Sequence, residues 1–164
     1  HIPHSKTVEW APYGGVYYGF NAMTVGKVLG LAAGLRFKWM LLKEDIHSVA
    51  VFADPGVSVP LSSLGFGAVI GGPGVIYDVL FEKKHHLTVT LSVPVSVMLS
   101  ESVAVRFPIK IGVGGEFSLA RDLNAFFRLS SGLDLWTDNF KDNSDDYPTV
   151  APLGELILGV AIRL

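Results

Sequence analysis

The amino-acid sequence predicts an all-β fold, an antiparallel up-and-down barrel of eight strands. Three observations predict it: large apolar residues alternate with small or charged ones, the alternating segments are long, and most of the turns between them are short. A period of two is typical of a strand with two unlike faces. Sequential strands joined by tight turns favour a meander that closes into a barrel.

A short N-terminal segment, residues 1–12, precedes the predicted barrel domain, residues 13–164. The alternation is clearest from Leu29 to Leu41, from Leu87 to Leu99 and from Val103 to Val113. The eight predicted strands cover residues 13–23, 27–42, 47–61, 66–81, 85–99, 103–119, 124–136 and 153–164.

Turn-forming residues separate these segments. The predicted turns are residues 24–26, 43–45, 62–65, 82–84, 100–102 and 120–122, with one long acidic loop at residues 137–152. The fourth strand is the least regular, because Gly71, Gly72, Pro73 and Gly74 interrupt it. A ten-strand alternative requires a turn there and a second turn at residues 54–56, and we therefore favour eight strands.

The composition narrows the possible classes of protein. Charged residues make up only 17% of the 164 residues, and the mean hydropathy is +0.43, which is more apolar than an ordinary soluble domain. The net charge is −2 without a basic cluster, so we expect no nucleic-acid partner. The absence of cysteine excludes disulfides and thiolate metal sites. Because the chain opens on His1, we expect a mature chain whose export signal has been removed.

The length of the strands and the residues on their two faces favour a membrane. About fifteen residues at roughly 3.3 Å each, tilted near 45°, rise about 35 Å, enough to cross the hydrocarbon of a bilayer. The minority face contains glycine, alanine and charged residues, which suit a narrow lumen, whereas the large aliphatic residues suit lipid. The predicted lumen charges are Arg36, Lys38, Arg106, Lys110, Glu116, Arg128, Asp134, Glu155 and Arg163.

We expect these charges to form an internal salt-bridge network, with Glu116 paired to Arg128 across the turn at residues 120–122. The lipid bilayer is then the first predicted partner. Aromatic residues near the ends on the side of the termini predict an interfacial belt. These are Trp10, Tyr13, Phe37, Trp39, Tyr77, Phe81 and Phe117.

On these features the chain resembles the small eight-stranded outer-membrane β-barrels of Gram-negative bacteria, the class containing the OmpA transmembrane domain, OmpX and OmpW. The final residues, Gly159 to Leu164, are similar to the terminal strand signal of that class, although the chain ends on leucine rather than on an aromatic residue. The resemblance implies an integral protein of the outer membrane.

Catalytic and metal sites are weakly indicated. Neighbours in a strand point to opposite faces, so His85 and His86 are poorly placed to share a metal ion, and His47 and Ser48 are poorly placed to form a catalytic pair. The long loop contains Asp138, Asp142, Asp145 and Asp146, which we interpret as a solvated, exposed loop rather than a calcium site. We therefore expect no cofactor, no metal and no enzymatic activity.

The best functional hypothesis is a structural or interaction role, such as a subunit of an envelope complex. Val25, Leu61, Leu64 and Leu99 are apolar for loop ends, which favours a protein partner there. A small channel, a lipid-modifying enzyme and a soluble lipocalin-like carrier are the alternatives.

Overall fold

The computed structural model describes residues 8–21, 26–61, 66–70, 73–81, 84–99, 103–136 and 150–163. In this part of the chain no helix has the length and apolar character needed to span a membrane. The strand segments are β1 (Val8–Asn21), β2 (Gly26–Lys43), β3 (His47–Ala53), β4 (Gly56–Pro60), β5 (Phe66–Ile70), β6 (Gly74–Phe81), β7 (His85–Ser92), β8 (Val95–Leu99), β9 (Val103–Ala120), β10 (Leu123–Trp136) and β11 (Val150–Arg163).

These segments form a closed antiparallel barrel of eight strands, which confirms the predicted fold class and strand number. Closure occurs where β1 pairs with both β2 and β11. The first strand begins at Val8, inside the predicted N-terminal segment, and the last begins at Val150, inside the predicted acidic loop. A closed ladder pairs the backbone groups between strands, as the interior of a bilayer requires.

Three of the eight barrel strands consist of two segments each. β3 and β4 both run antiparallel to β2, so they form one barrel strand interrupted at Asp54 and Pro55 rather than a hairpin. In the same way β5 and β6 form the fourth strand, and β7 and β8 form the fifth. Proline supplies no N–H to a ladder, and Pro55 and Pro94 lie at two of these interruptions.

The alternation has the orientation expected in lipid. In β10, Phe127, Leu129 and Leu133 are exposed on the outer wall, whereas Phe126 and Arg128 are buried inside. A soluble barrel of this size has its apolar residues inside. The large aliphatic residues therefore form a lipid-facing surface.

A β-bulge changes the alternation near the end of β2. Met40 pairs with Ala50 and Leu42 with Val49, so Leu41 is an extra residue that has no partner in β3. Because of the bulge, Leu41 and Leu42 are both exposed, at 64% and 54%. The alternation predicted from Leu29 to Leu41 therefore ends at the bulge.

Inside the barrel, several glycines make room for a large side chain on the neighbouring strand. Gly74 lies opposite Phe52 and Gly159 lies opposite Phe126. A Cβ atom at either glycine would overlap the ring of its partner. Phe126 in turn packs with Ala11, Ile157 and Ala161 in a small apolar cluster.

Candidate functional site: the charged lumen

The most unusual feature of the interior is its set of buried charges. Asp78 and Glu116 are each only 2% exposed, although burial of an isolated carboxylate is costly. The described charged side chains of the lumen are Glu9, Arg36, Lys38, Asp54, Asp78, Lys110, Glu116, Arg128 and Glu155. Ion pairs offset the cost of burial and divide these residues into two clusters.

The terminal-side cluster comprises Glu9, Arg36, Lys38, Asp78 and Glu116. Lys38 Nζ lies 2.7 Å from Asp78 Oδ2 and 3.5 Å from Glu116 Oε2. Arg36 Nη2 lies 3.3 Å from Glu9 Oε1 and 3.9 Å from Glu116 Oε1. Glu116 therefore links the two cations.

The mid-barrel cluster comprises Asp54, Lys110, Arg128 and Glu155. Arg128 Nη2 donates to Asp54 Oδ2 at 2.8 Å and to Glu155 Oε1 at 3.4 Å. Lys110 Nζ donates to Glu155 Oε2 at 3.1 Å. Two cations and two carboxylates thus balance one another within this cluster.

Both clusters connect opposite walls of the barrel. Lys38 belongs to the second barrel strand and Glu116 to the sixth, and these strands are diametrically opposed in a closed ring of eight. Asp54, at the interruption of the third strand, and Arg128, in the seventh, are opposed in the same way. Charged side chains therefore meet across the lumen at two heights.

Aromatic rings support the two arginines from the side. The Arg36 guanidinium lies 4.0 Å from the centroid of the Phe126 ring, and the Arg128 guanidinium lies 5.4 Å from that of Phe52. Contacts of this kind are attractive, and more so when the cation is desolvated. The rings, which themselves lie over glycines, therefore help to fix the guanidinium groups in the lumen.

Six of the nine predicted lumen charges have side chains in the described part of the structure, and all six lie inside. They are Arg36, Lys38, Lys110, Glu116, Arg128 and Glu155. The side chains of Arg106, Asp134 and Arg163 lie outside the described part of the structure. The acidic-loop residues Asp138, Asp142, Asp145 and Asp146 are also outside the described residues.

Glu116 and Arg128 do not follow the predicted pairing. Glu116 lies opposite Phe126 in the ladder and Arg128 lies opposite Gly114, so the two residues are diagonal neighbours. The side chain of Phe126 occupies the position directly across from Glu116. Glu116 instead contacts the second barrel strand, and Arg128 contacts the third and the eighth.

Three carboxylates of the lumen were missed by the sequence analysis. Glu9 lies in the segment assigned to the N-terminus, and Asp54 lies among residues that resemble a turn. The position of Asp78 could have been predicted from the alternation in β6. Asp78 and Ile76 share one face of the strand, whereas Val75, Tyr77 and Val79 lie on the outward face. Extending the alternation through β6 would have placed Asp78 in the lumen.

One residue of the predicted aromatic belt, Tyr13, does not lie on the outer wall. Trp39, Tyr77, Phe81 and Phe117 are exposed on the outer wall, and Trp10 and Phe37 share the outward parity. Tyr13 instead lies inside, where its hydroxyl donates to the backbone oxygen of Asp54 at 3.3 Å. The reason is parity, because Tyr13 is on the same face of β1 as the buried Glu9 and Ala11.

The two adjacent polar pairs, His47 with Ser48 and His85 with His86, each have their members on opposite faces of a strand. Ser48 is buried and donates to Asp78 at 3.4 Å, whereas His47 contacts Tyr77 on the outer wall. The His85 ring lies against the exposed Phe117, 5.4 Å between centroids. Among the described residues no group of three His, Asp or Glu side chains is placed to hold a metal ion.

Comparison with solved structures identifies the fold. Neisserial surface protein A (NspA) matches with a TM-score of 0.69 and 12% identity, over 98% of this chain and 99% of that one. The outer membrane enzyme PagL matches with a TM-score of 0.58 and 12% identity, over 93% and 99%. The chain has the fold of the small eight-stranded outer-membrane β-barrels.

A third solved structure extends this likeness. Ail, the attachment invasion locus protein of Yersinia pestis, matches the chain with a TM-score of 0.54 and 12% identity, over 95% and 98%. The outer-membrane location predicted from the sequence agrees with all three barrels. No protein-family model matches the chain, and no curated protein matches it. Since the three barrels include an enzyme and an attachment protein, the shared fold is compatible with more than one role.

Proposed function

We propose that the chain is a non-enzymatic, non-conducting barrel with a structural or interaction role in the outer membrane, such as a subunit of an envelope complex. One observation carries the proposal: ion pairs join opposite walls at two heights, through Lys38 and Glu116 and through Asp54 and Arg128. An eight-stranded barrel has an interior just wide enough for side chains to fill. The lumen charges then hold the barrel together rather than select ions.

Planar-bilayer recording tests the closed lumen. We expect no discrete conductance steps from the purified wild-type protein. A double variant, Asp54→Ala with Arg128→Ala, removes the mid-barrel ion pair without leaving either partner unpaired, and Arg121→Ala in an exposed turn is the matched control. Steps in the wild-type protein would contradict the proposal and favour a channel.

The proposed interaction role concerns the loop end of the barrel. Leu61 is 58% exposed just beyond β4, which supports a contact with another envelope protein. Val25 and Leu64 lie outside the described residues, as does the side chain of Leu99. A photoreactive residue at Leu61 should cross-link one protein in intact cells, whereas one at Leu119, 62% exposed at the opposite end, should not. Equal labelling at both positions would argue against a partner at the loop end.

An enzymatic activity is the second candidate, because the outer membrane enzyme PagL has the same fold, and lipid modification is the activity considered from the sequence. Incubation of the purified barrel with lipid A, followed by mass spectrometry of the lipid, is the direct test. We expect the mass of the lipid to be unchanged. A mass change that depends on the protein would overturn the non-enzymatic assignment.

A further inference from the structure

A polar pair lies on the outer wall, in a surface that is otherwise apolar. His47 is the first residue of β3, and Tyr77 lies on the adjacent segment β6. Tyr77 Oη is 2.7 Å from His47 Nδ1, and the two rings stack with centroids 5.7 Å apart and planes 16° apart. The contact holds both rings in one orientation toward the lipid.

Three exposed aliphatic residues flank this pair. The bulge at Leu41 directs both Leu41 and Leu42 outward, and Ile46 precedes His47 with 54% of its surface exposed. Leu42 and Tyr77 lie on either side of the same residue, Val49, in the ladder. Large aliphatic side chains beside a polar pair are suited to acyl chains rather than to water.

The depth of the pair follows from the neighbouring turn. Glu44 and Asp45 are exposed in the turn that joins β2 to β3, and these charged residues mark the aqueous side. His47 lies two residues after Asp45. Barrels of this type have short turns on the periplasmic side, so the pair lies where lipid headgroups of the periplasmic leaflet meet the barrel.

The hydrogen-bonding chemistry defines what the pair would bind. When the tyrosine hydroxyl donates to Nδ1, the neutral imidazole carries its proton on Nε2. Among the described residues the structure gives that Nε2 atom no hydrogen-bond partner. A donor at the headgroup level requires an acceptor, and the oxygens of a phosphodiester are strong ones.

We propose that His47 and Tyr77, together with Leu41, Leu42 and Ile46, form a binding site for one phospholipid. His47 Nε2–H donates to the phosphodiester, Tyr77 fixes the imidazole, and the aliphatic residues contact the acyl chains. A lipid, rather than free phosphate, is the ligand because the aliphatic residues surround the polar pair. The site does not depend on whether the lumen conducts.

Native mass spectrometry of the delipidated protein in detergent, titrated with phosphatidylglycerol, tests the site. The variants are Tyr77→Phe, which removes only the hydroxyl, and His47→Phe, which keeps a ring. Tyr18→Phe is the matched control, because Tyr18 is 48% exposed near the loop end of β1. Diacylglycerol with the same acyl chains and inorganic phosphate alone are the ligand controls.

We expect the wild-type protein and Tyr18→Phe to bind one phosphatidylglycerol with the same affinity. His47→Phe removes the hydrogen bond to the phosphodiester, and Tyr77→Phe removes the hydrogen bond that fixes the imidazole. Each substitution should weaken binding about five- to ten-fold. Equal affinity in all four proteins, equal retention of diacylglycerol, or displacement of the lipid by inorganic phosphate would each overturn the proposal. If one of these two variants misfolds, the other still tests the proposal, because the substitutions alter different residues.

Discussion

Arg128 and Asp54 meet across the diameter of the barrel, with 2.8 Å between Arg128 Nη2 and Asp54 Oδ2. Both side chains are almost fully enclosed, and Asp54 lies at the interruption between β3 and β4. The interrupted wall is thus held by a residue of the opposite wall. Tyr13, whose hydroxyl donates to the Asp54 backbone oxygen, adds a second contact from β1.

Arg128→Met should destabilise the barrel strongly, because the substitution leaves Asp54 and Glu155 with one cation between them, Lys110. Removing one partner of a buried ion pair costs about 3 to 5 kcal/mol. Urea unfolding of the protein in lipid vesicles, followed by tryptophan fluorescence, measures the loss. Arg121→Met, in an exposed turn, is the control and should change little. A loss below about 1 kcal/mol for Arg128→Met would show that the pair contributes little to stability.

Glu116 and Arg128 should contribute independently to stability, because they belong to different clusters. Residues within one salt-bridge network couple by about 0.5 to 3 kcal/mol, and Glu116 and Arg128 belong to two separate networks. A double-mutant cycle of Glu116→Ala and Arg128→Met should therefore show less coupling than a cycle of Lys38→Met and Asp78→Ala, whose charged atoms are 2.7 Å apart. Stronger coupling between Glu116 and Arg128 would restore the pairing expected from the sequence.

The sequence contained enough information for the architecture but not for the partners of each charge. Parity along a strand depends only on local residues, so it predicted the lipid-facing wall and the inward direction of Arg36, Lys38 and Arg128. Pairing across the lumen depends on how the strands are staggered when the sheet closes. Closure places the third strand opposite the seventh, and no local pattern connects Asp54 with Arg128. The alternation of inward and outward residues in β2 also ends at the β-bulge, where Leu41 is an extra residue.

The glycines were predicted to lie on the face that lines a narrow lumen, and the structure shows which side chains approach two of them. A large side chain on the adjacent strand occupies the space that a Cβ would fill, as Phe52 does over Gly74 and Phe126 over Gly159. The sequence could have indicated this only with the register, which determines that these residues are cross-strand partners.

Gly74→Ala should destabilise the barrel, because the added Cβ would overlap the Phe52 ring and also approach Ser92 Cβ at 2.9 Å. Overpacking of this kind costs about 1 to 3 kcal/mol. Gly154→Ala is the matched control, since a Cβ there would have no atom of the described residues within 4 Å. In urea unfolding, Gly74→Ala should have a lower free energy of unfolding than both the wild type and Gly154→Ala. Phe52→Leu in the Gly74→Ala background should recover part of the loss, and no recovery would exclude the ring as its cause.

Leu129→Arg tests the outward direction of the apolar face. Leu129 is 56% exposed on β10, away from both ends of the strand, so its side chain should lie within the hydrocarbon of the bilayer. An arginine near the bilayer midplane of a β-barrel costs about 2 to 4 kcal/mol. Ala120→Arg, in an exposed position at the end of β9, places the same charge near the aqueous boundary, where the cost should be about 0 to 1 kcal/mol. In vesicles, Leu129→Arg should therefore have a lower free energy of unfolding than Ala120→Arg. The difference should be smaller in detergent, because micelles deform around a buried charge more easily than a bilayer does. Equal stability of the two variants in vesicles would mean that Leu129 does not face the hydrocarbon.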